Sequence, residues 1–155
     1  MKKVLLVLGT AVLLASCTSA ESEKEKTVTT TPTSNDTVVN DLSGCYRMTI
    51  GKDTALLNLK AEGKIMSGSL VYDRFEKDDN KGTFKGVLEK DKIKGWYTFF
   101  AEGQTSVREI YFKVSRNNLS ESYGDIGIKH DTAYFKYPGA VNYEEQHPFL
   151  KTDCK

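Results

Sequence analysis

An alternation of apolar and polar residues with a period of two constrains the fold of this chain more than any other feature. In one run, for example, Leu57, Leu59 and Ala61 alternate with polar residues. Similar runs recur after position 43, and turn residues such as Glu62-Gly63 separate them. Because successive side chains of a strand point to opposite faces, this pattern predicts an all-β domain.

The runs predict about eight strands that follow one another as an antiparallel meander. They cover residues 44–50, 54–61, 64–73, 82–89, 92–101, 106–115, 119–123 and 133–137. No amphipathic helix longer than a turn or two is expected. We place the domain at residues 42–155, a length that suits one compact unit, and we expect the meander to form a small closed or nearly closed barrel.

Three successive predicted strands carry a glycine on their apolar face, namely Gly68, Gly86 and Gly95. Glycine weakens the packing of a strand unless the sheet bends sharply or another group approaches the backbone closely. A small barrel requires sharply bent strands, and a ligand inside the barrel would require close access to the backbone. Both interpretations stay open at the level of the sequence.

From about Ser43 to Tyr137 the predicted meander resembles lipocalin-like and avidin-like barrels, in which antiparallel strands surround a central pocket. Gly44-Cys45-Tyr46 stands where a lipocalin carries a Gly-x-Trp motif. The resemblance implies a binding module with its ligand inside the barrel.

The amino terminus has the form of a bacterial export signal. Lys2 and Lys3 precede an apolar stretch at 4–14 that is too short to span a membrane. The sequence Leu14-Ala15-Ser16-Cys17 then resembles the lipobox of bacterial lipoproteins. The resemblance implies that residues 1–16 are removed and that Cys17 carries the lipid anchor. An ordinary secretory signal with an incidental cysteine is the alternative.

The residues after Cys17 indicate in which membrane of the cell envelope the protein is anchored. Thr18 stands where an aspartate would resemble an inner-membrane retention signal, so the outer membrane is favoured. The Glu/Lys alternation at 21–26 resembles acidic export signals that direct some lipoproteins to the cell surface, and it is also typical of a solvated spacer. The periplasmic face and the cell surface therefore both stay open.

Residues 17–41 are rich in Ser, Thr, Glu and Lys, with isolated valines only. Such a segment has too little apolar surface to offset the entropy of ordering, so it is predicted to be a flexible tether for the domain. Asp36-Thr37-Val38 in this segment resembles a bacterial O-glycosylation site, which makes Thr37 a candidate for modification. A chance match of the short pattern is the alternative.

Two cysteines remain once Cys17 is assigned to the lipid anchor. Cys45 and Cys154 lie at opposite ends of the domain, and an oxidising envelope permits a disulfide between them. Two free thiols or a metal site are the alternatives, but neither histidine lies at a zinc-like spacing from a cysteine. We expect the tail at 124–155 to wrap the barrel and return Cys154 to Cys45.

Arg108 shares strand parity with apolar residues and is therefore predicted to point inward. An inward arginine needs a partner. An anionic ligand in the barrel mouth is one candidate, with hydroxyl groups from tyrosines on other strands: Tyr46, Tyr72 and Tyr97. The alternative is that Arg108 lies at the strand end and extends to water.

Trp96 and Phe100 have the opposite parity and face outward. They are expected to be covered by the C-terminal segment, and an exposed apolar patch is the alternative.

Taken together, the residues predict a non-enzymatic binding module for a small hydrophobic or anionic ligand, anchored to the membrane through Cys17. The first alternative is a structural lipoprotein with a side-chain-filled barrel that docks on another envelope protein. A hydrolase built from surface carboxylates, for which Glu89, Asp91 and Glu109 are the candidates, comes last. Residue spacing suggests neither a nucleophilic triad nor a metal or cofactor site. Removal of Lys2 and Lys3 with the signal peptide takes the formal net charge from +1 to −1, so the net charge says little, and no basic patch indicates nucleic acid as a partner.

Overall fold

The computed structural model describes residues 42–116 and 118–154. Cys17, Thr37 and the predicted signal peptide and tether lie outside the described residues. The described part is all-β, a closed eight-strand antiparallel barrel with extra strands, which confirms the predicted fold class. The strands are β1 Gly44–Ile50, β2 Asp53–Glu62, β3 Ile65–Asp73, β4 Asn80–Glu89, β5 Lys92–Ala101, β6 Gln104–Ser115, β7 Asn118–Tyr123, β8 Ile126–Lys129, β9 Thr132–Phe135, β10 Asn142–Tyr143 and β11 Phe149–Thr152. A 3₁₀ helix spans Pro138–Ala140.

The barrel closes through its last strand. Strands β1 to β7 pair with one another in chain order, and β11 lies between β7 and β1 with antiparallel pairing to both. The predicted strand at 133–137 corresponds to β9, which lies outside this closed circuit. β9 pairs in parallel with the first half of β6 and forms a hairpin with β8. The eighth barrel strand is thus β11, not the one the sequence suggested.

A disulfide links the closing strand β11 to β1. Cys45 in β1 and Cys154, just after β11, are bonded, with their Cα atoms 5.2 Å apart and 109 positions between them in sequence. The predicted cysteine pairing is confirmed. The tail does return Cys154 to Cys45, but it does so as a strand of the barrel wall.

Side chains fill the interior of the barrel. The inward positions predicted from the period-two pattern are buried in one cluster, whose members come from every strand of the closed circuit. The cluster contains Tyr46, Leu57, Leu59, Met66, Leu70, Phe84, Leu88, Ile93, Tyr97, Phe112 and Leu119, and it also contains Phe149 of β11, where the sequence predicted no strand. The centre of the barrel is therefore a packed core, unlike the central pocket that the lipocalin resemblance implied.

The strand glycines allow neighbouring strands to approach closely. A Cβ atom on Gly68 would lie 1.9 Å from the Asn58 carbonyl oxygen, and one on Gly95 would lie 2.3 Å from that of Lys85. The group that approaches each of these two glycines is thus the backbone of the preceding strand. This favours curvature of the wall over contact with a ligand as the reason for these glycines.

Turns alternate between two ends of the barrel because consecutive strands are antiparallel. Residues 51–52, 74–79 and 102–103 connect strands at one end, here termed the loop end. The turns at 63–64 and 90–91 lie at the other end, together with Cys45, and this is termed the disulfide end. Among the residues described, no helix is long and apolar enough to cross a membrane.

Candidate functional site

Arg108 of β6 forms hydrogen bonds with side chains of the protein itself. Its Nη2 donates hydrogen bonds to the Tyr72 hydroxyl at 2.9 Å and to Glu121 Oε1 at 3.1 Å. The Tyr72 hydroxyl in turn donates to Glu121 Oε2 at 2.8 Å. Three strands, β3, β6 and β7, thus contribute to one closed hydrogen-bonded arrangement.

Tyr97 of β5 completes this group, which we term the Arg108 cluster (Tyr72, Tyr97, Arg108 and Glu121). The guanidinium carbon of Arg108 lies 5.2 Å from the centre of the Tyr72 ring and 5.8 Å from that of Tyr97. At these distances both rings stabilise the cation. The Tyr97 hydroxyl donates to the carbonyl oxygens of Leu70 and Asn80, at 2.9 and 3.0 Å.

Burial governs the ionisation of the cluster. It raises the pKa of Tyr97 to about 12, and Arg108 opposes that rise. Burial also raises the pKa of the Glu121 carboxyl, against the lowering effect of Arg108 and of the Tyr72 hydrogen bond. The arginine stays charged. The side chains of Arg108 and Glu121 are only 30% and 15% exposed, so each is the principal compensating group of the other.

Tyr46 is not part of this cluster. Its hydroxyl donates to the Leu42 carbonyl oxygen at 2.8 Å, and its ring is buried in the core. Of the four residues predicted to bind a ligand, the structure brings together Arg108, Tyr72 and Tyr97 and places the Tyr46 hydroxyl in another hydrogen bond. The sequence missed Glu121, although it is an acidic residue two positions after Leu119, which is itself buried.

A polar cavity of about 620 Å³ opens at the loop end of the barrel. We term it the cup; its lining residues are Arg74, Glu76, Lys77, Asp78, Asn80, Phe99, Ala101, Glu102, Gln104 and Ser106. Phe99 follows Tyr97 by two positions on β5, and Ser106 precedes Arg108 by two on β6. Because residues two apart share a face, the Arg108 cluster forms the layer beneath the cup. The Tyr97 and Phe99 rings stack at 4.9 Å between centroids.

Of the two cations that line the cup, Lys77 and Arg74, it is Arg74 that also contacts the Arg108 cluster. It makes no ion pair with any residue of 42–116 or 118–154. Its guanidinium carbon lies 5.8 Å from the centre of the Tyr72 ring, which positions it beside the Arg108 cluster. Arg74 falls just outside the predicted strand 64–73, but it is two residues after Tyr72 and so shares the inward parity of β3. That parity is the signal that would have identified it.

A smaller cleft reaches the cluster from the side. It measures about 160 Å³ and lies where β6 and β7 separate and the β8–β9 hairpin begins, with Arg108 and Glu121 among its lining residues. Arg108 Nε is buried there without a hydrogen-bond partner among the described residues. This side cleft therefore reaches Arg108 and Glu121, neither of which lines the cup.

The outer wall formed by β11, β1 and β2 carries two further clefts, of about 370 and 420 Å³. Arg47 lies directly opposite both Leu150 and Leu56 on this wall. The two leucines are exposed. This surface offers apolar groups beside two cations, Arg47 and Lys151.

No group of three or more His, Cys, Asp or Glu residues in the described part of the chain could hold a metal ion. No protein-family model, curated protein or solved structure matches this chain.

Proposed function

We propose that the protein is a lipid-anchored lipoprotein of the bacterial outer membrane and that its barrel is a non-enzymatic binding module. The lipobox at Leu14-Ala15-Ser16-Cys17 supports the anchor, and Thr18 supports the outer membrane. The single observation that carries the binding role is the cup, which opens at the loop end above the Arg108 cluster. A concave site with a few convergent polar groups on a rigid wall is typical of small-molecule binding.

The ligand is a small polar molecule with an anionic group. Arg74 and Lys77 line the cup and make no ion pair among the described residues, whereas Arg108 is already compensated by Glu121. Carboxylates and amides around the rest of the cup, such as Glu102 and Gln104, suit hydroxyl or amine groups of the same ligand. The polar lining does not favour a hydrophobic ligand.

The barrel itself acts as a scaffold in this proposal. Its packed core and the hydrogen bonds of the Arg108 cluster fix the cup floor, so little ordering entropy opposes binding. Glu109 and Glu121 are engaged in hydrogen bonds to the protein, so we assign them no catalytic step.

Native mass spectrometry of the protein purified from its host tests the binding role. We expect an additional defined mass that is lost on denaturation, and Arg74→Gln should abolish it. Arg47→Gln removes a cation from the outer wall and should leave the adduct intact. A clean mass for the unmodified chain would count against a retained ligand and in favour of the second candidate below.

The anchor has its own test. Cys17→Ala should move the protein from the membrane fraction to the soluble fraction and remove the acyl mass from the chain. Acylation that persists in this variant would overturn the anchor.

The second candidate function is a structural lipoprotein that docks on another envelope protein. The packed core and the clefts around Arg47, Leu56 and Leu150 favour it. Crosslinking from Arg47→Cys in intact cells would distinguish the two, because a docking surface should give one discrete adduct with a second protein.

A further inference from the structure

The outer surface of β4 and β5 carries two lysines beside two exposed aromatic residues. We term this the lysine-aromatic face (Lys81, Lys85, Trp96 and Phe100). Trp96 is 44% exposed and Phe100 is 59% exposed. The expectation that the C-terminal segment covers them is therefore wrong, because β11 inserts between β7 and β1 and β9 lies beside β6.

The strand register arranges the face regularly. Lys81 lies directly opposite Phe100, and Lys85 lies directly opposite Trp96. Between these two pairs lies a pair of threonines. The lysines therefore form one column on β4 and the aromatic residues a parallel column on β5, with about 13 Å between the members of each column.

The charge of this face is positive. Lys85 has no ion-pair partner among the residues that the structure describes, and Lys81 makes only an exposed contact with Asp79 at 3.3 Å. The outward positions of β4 from 81 to 87 and of β5 from 94 to 100 include no carboxylate. Glu109, the nearest acid beside Trp96, accepts hydrogen bonds from Tyr111 and from the Phe135 amide.

We propose that the lysine-aromatic face docks on the surface of an anionic lipid bilayer. Aromatic side chains prefer the interface between lipid headgroups and acyl chains, and neighbouring lysines extend to the anionic headgroups. A convex barrel touches a flat bilayer along a narrow stripe, and a face two strands wide fits that stripe. The inference rests on the proposed lipid anchor, which would hold the domain close to such a surface.

Trp96 is the only tryptophan of the chain, so its fluorescence reports directly on this face. The experiment uses the full lipidated protein in vesicles of phosphatidylethanolamine and phosphatidylglycerol, with and without brominated acyl chains. Flotation of the vesicles reports the anchor, and quenching of Trp96 by bromine reports docking of the face. We expect both flotation and quenching, together with a blue shift of the emission.

Charge and aromatic variants test the assignment to this face. Each lysine near an anionic surface is worth about fivefold in partition, so K81E/K85E should reduce the docked-to-undocked ratio by at least about twentyfivefold. Phe100→Ser should also weaken quenching while Trp96 is kept as the reporter. Arg47→Glu reverses a charge on β1, four strands from β5 in the closed circuit, and should change nothing.

Each other outcome overturns the inference in a distinct way. Flotation without quenching would leave the anchor intact and exclude docking of the face. Equal quenching of Trp96 in vesicles of phosphatidylcholine alone would show that docking does not require anionic lipid. An equal loss of quenching in Arg47→Glu would show that docking is not specific to the lysine-aromatic face. The lack of both flotation and quenching would count against the anchor and the face together.

Discussion

At the scale of single residues, the assignment of Arg108 depends on which group compensates its charge. The sequence required a partner for an inward arginine, and the structure provides Glu121 and the Tyr72 hydroxyl. The arginine is thus part of the floor beneath the cup. Arg74, one of the two cations that line the cup, lies one layer nearer to solvent.

Arg108→Gln should destabilise the protein at neutral pH, because it leaves the Glu121 carboxylate buried without a counter-charge. The expected loss is about 1–3 kcal/mol, less than for a fully buried pair because the arginine side chain is 30% exposed. Burial raises the pKa of Glu121 in the folded state, and loss of Arg108 raises it further. A raised carboxyl pKa means that stability is greatest at low pH and falls as pH rises through the folded pKa. The penalty should therefore shrink between pH 7 and pH 4 in urea titrations.

The double variant R108Q/E121Q is the control for this prediction, since it removes both charges. It should recover most of the lost stability and show a weaker pH dependence. A penalty for Arg108→Gln that does not change with pH would show that packing, not charge, is lost.

The buried tyrosines predict a loss of stability in alkali. Burial raises the pKa of Tyr97 to about 12 and that of Tyr72 well above its ordinary value. Because the folded state keeps protons that the unfolded state releases, the free energy of unfolding should fall as pH rises from about 10 to 12. Tyr97→Phe should remove about 1–2 kcal/mol of that fall, measured by urea unfolding at pH 8 and pH 11.5. Tyr137→Phe, which removes an exposed hydroxyl, is the matched control.

At the scale of elements, the pairing of β4 with β5 depends on two facing glycines. Gly86 lies directly opposite Gly95, and the Phe84 ring covers both. Aromatic cover over facing glycines restores packing that the missing side chains would otherwise lose. These glycines let the wall coil tightly without leaving a void.

Gly95→Ala should destabilise the barrel by about 2–3 kcal/mol. The new Cβ would lie 2.3 Å from the Lys85 carbonyl oxygen and 2.8 Å from Phe84 Cε2, so the strands must separate or shift register. Gly139→Ala is the control, because nothing lies within 4 Å of its Cβ position, and it should have almost no effect. Urea midpoints with the disulfide intact measure both; equal midpoints would argue that the wall can relax freely.

One carboxylate adds side-chain hydrogen bonds to the backbone pairing that attaches the β8–β9 hairpin to the barrel. Glu109 accepts a hydrogen bond from the Phe135 amide at 2.7 Å and another from the Tyr111 hydroxyl. Glu109→Ala should speed hydrogen exchange of the β9 amides by at least about tenfold, since charged hydrogen bonds of this kind are worth about 1.5–3 kcal/mol. The barrel strands should exchange as before. Glu145→Ala, which removes an exposed partner of Lys113, should leave the hairpin unchanged.

At the scale of the whole molecule, the long strands could be predicted from the sequence, and of the four strands with four or fewer residues only β9 could. The predicted bounds of β1 and β5 coincide with the observed ones because each run contains enough residues to show the period. β8, β10 and β11 have only two to four residues each, too few for a period to be distinct from the turns around them. Which short strand closes the barrel depends on its pairing with β1 and β7, and this is a property of the folded wall.

The same limit applies to the residues of the candidate site. Arg108, Tyr72 and Tyr97 could be predicted because they lie within long runs with clear parity. Glu121 and Arg74 could not, because one lies on a short strand and the other just after a strand end. Their roles depend on which strands meet across the barrel mouth.

The disulfide should determine whether the barrel stays closed. β11 pairs with only three residues of β1 and two of β7, so backbone pairing alone holds the closing strand weakly. The bond between Cys45 and Cys154 links this strand to β1 and closes a loop of 109 positions, worth about 4–5 kcal/mol in the chain-entropy description. C45S/C154S should therefore lower the free energy of unfolding by several kcal/mol, measured in urea. Amides of β1 and β11 should exchange first, because loss of β11 leaves two open edges, and the variant should self-associate through them. A change below about 1 kcal/mol would show that the packed core keeps the barrel closed without the bond.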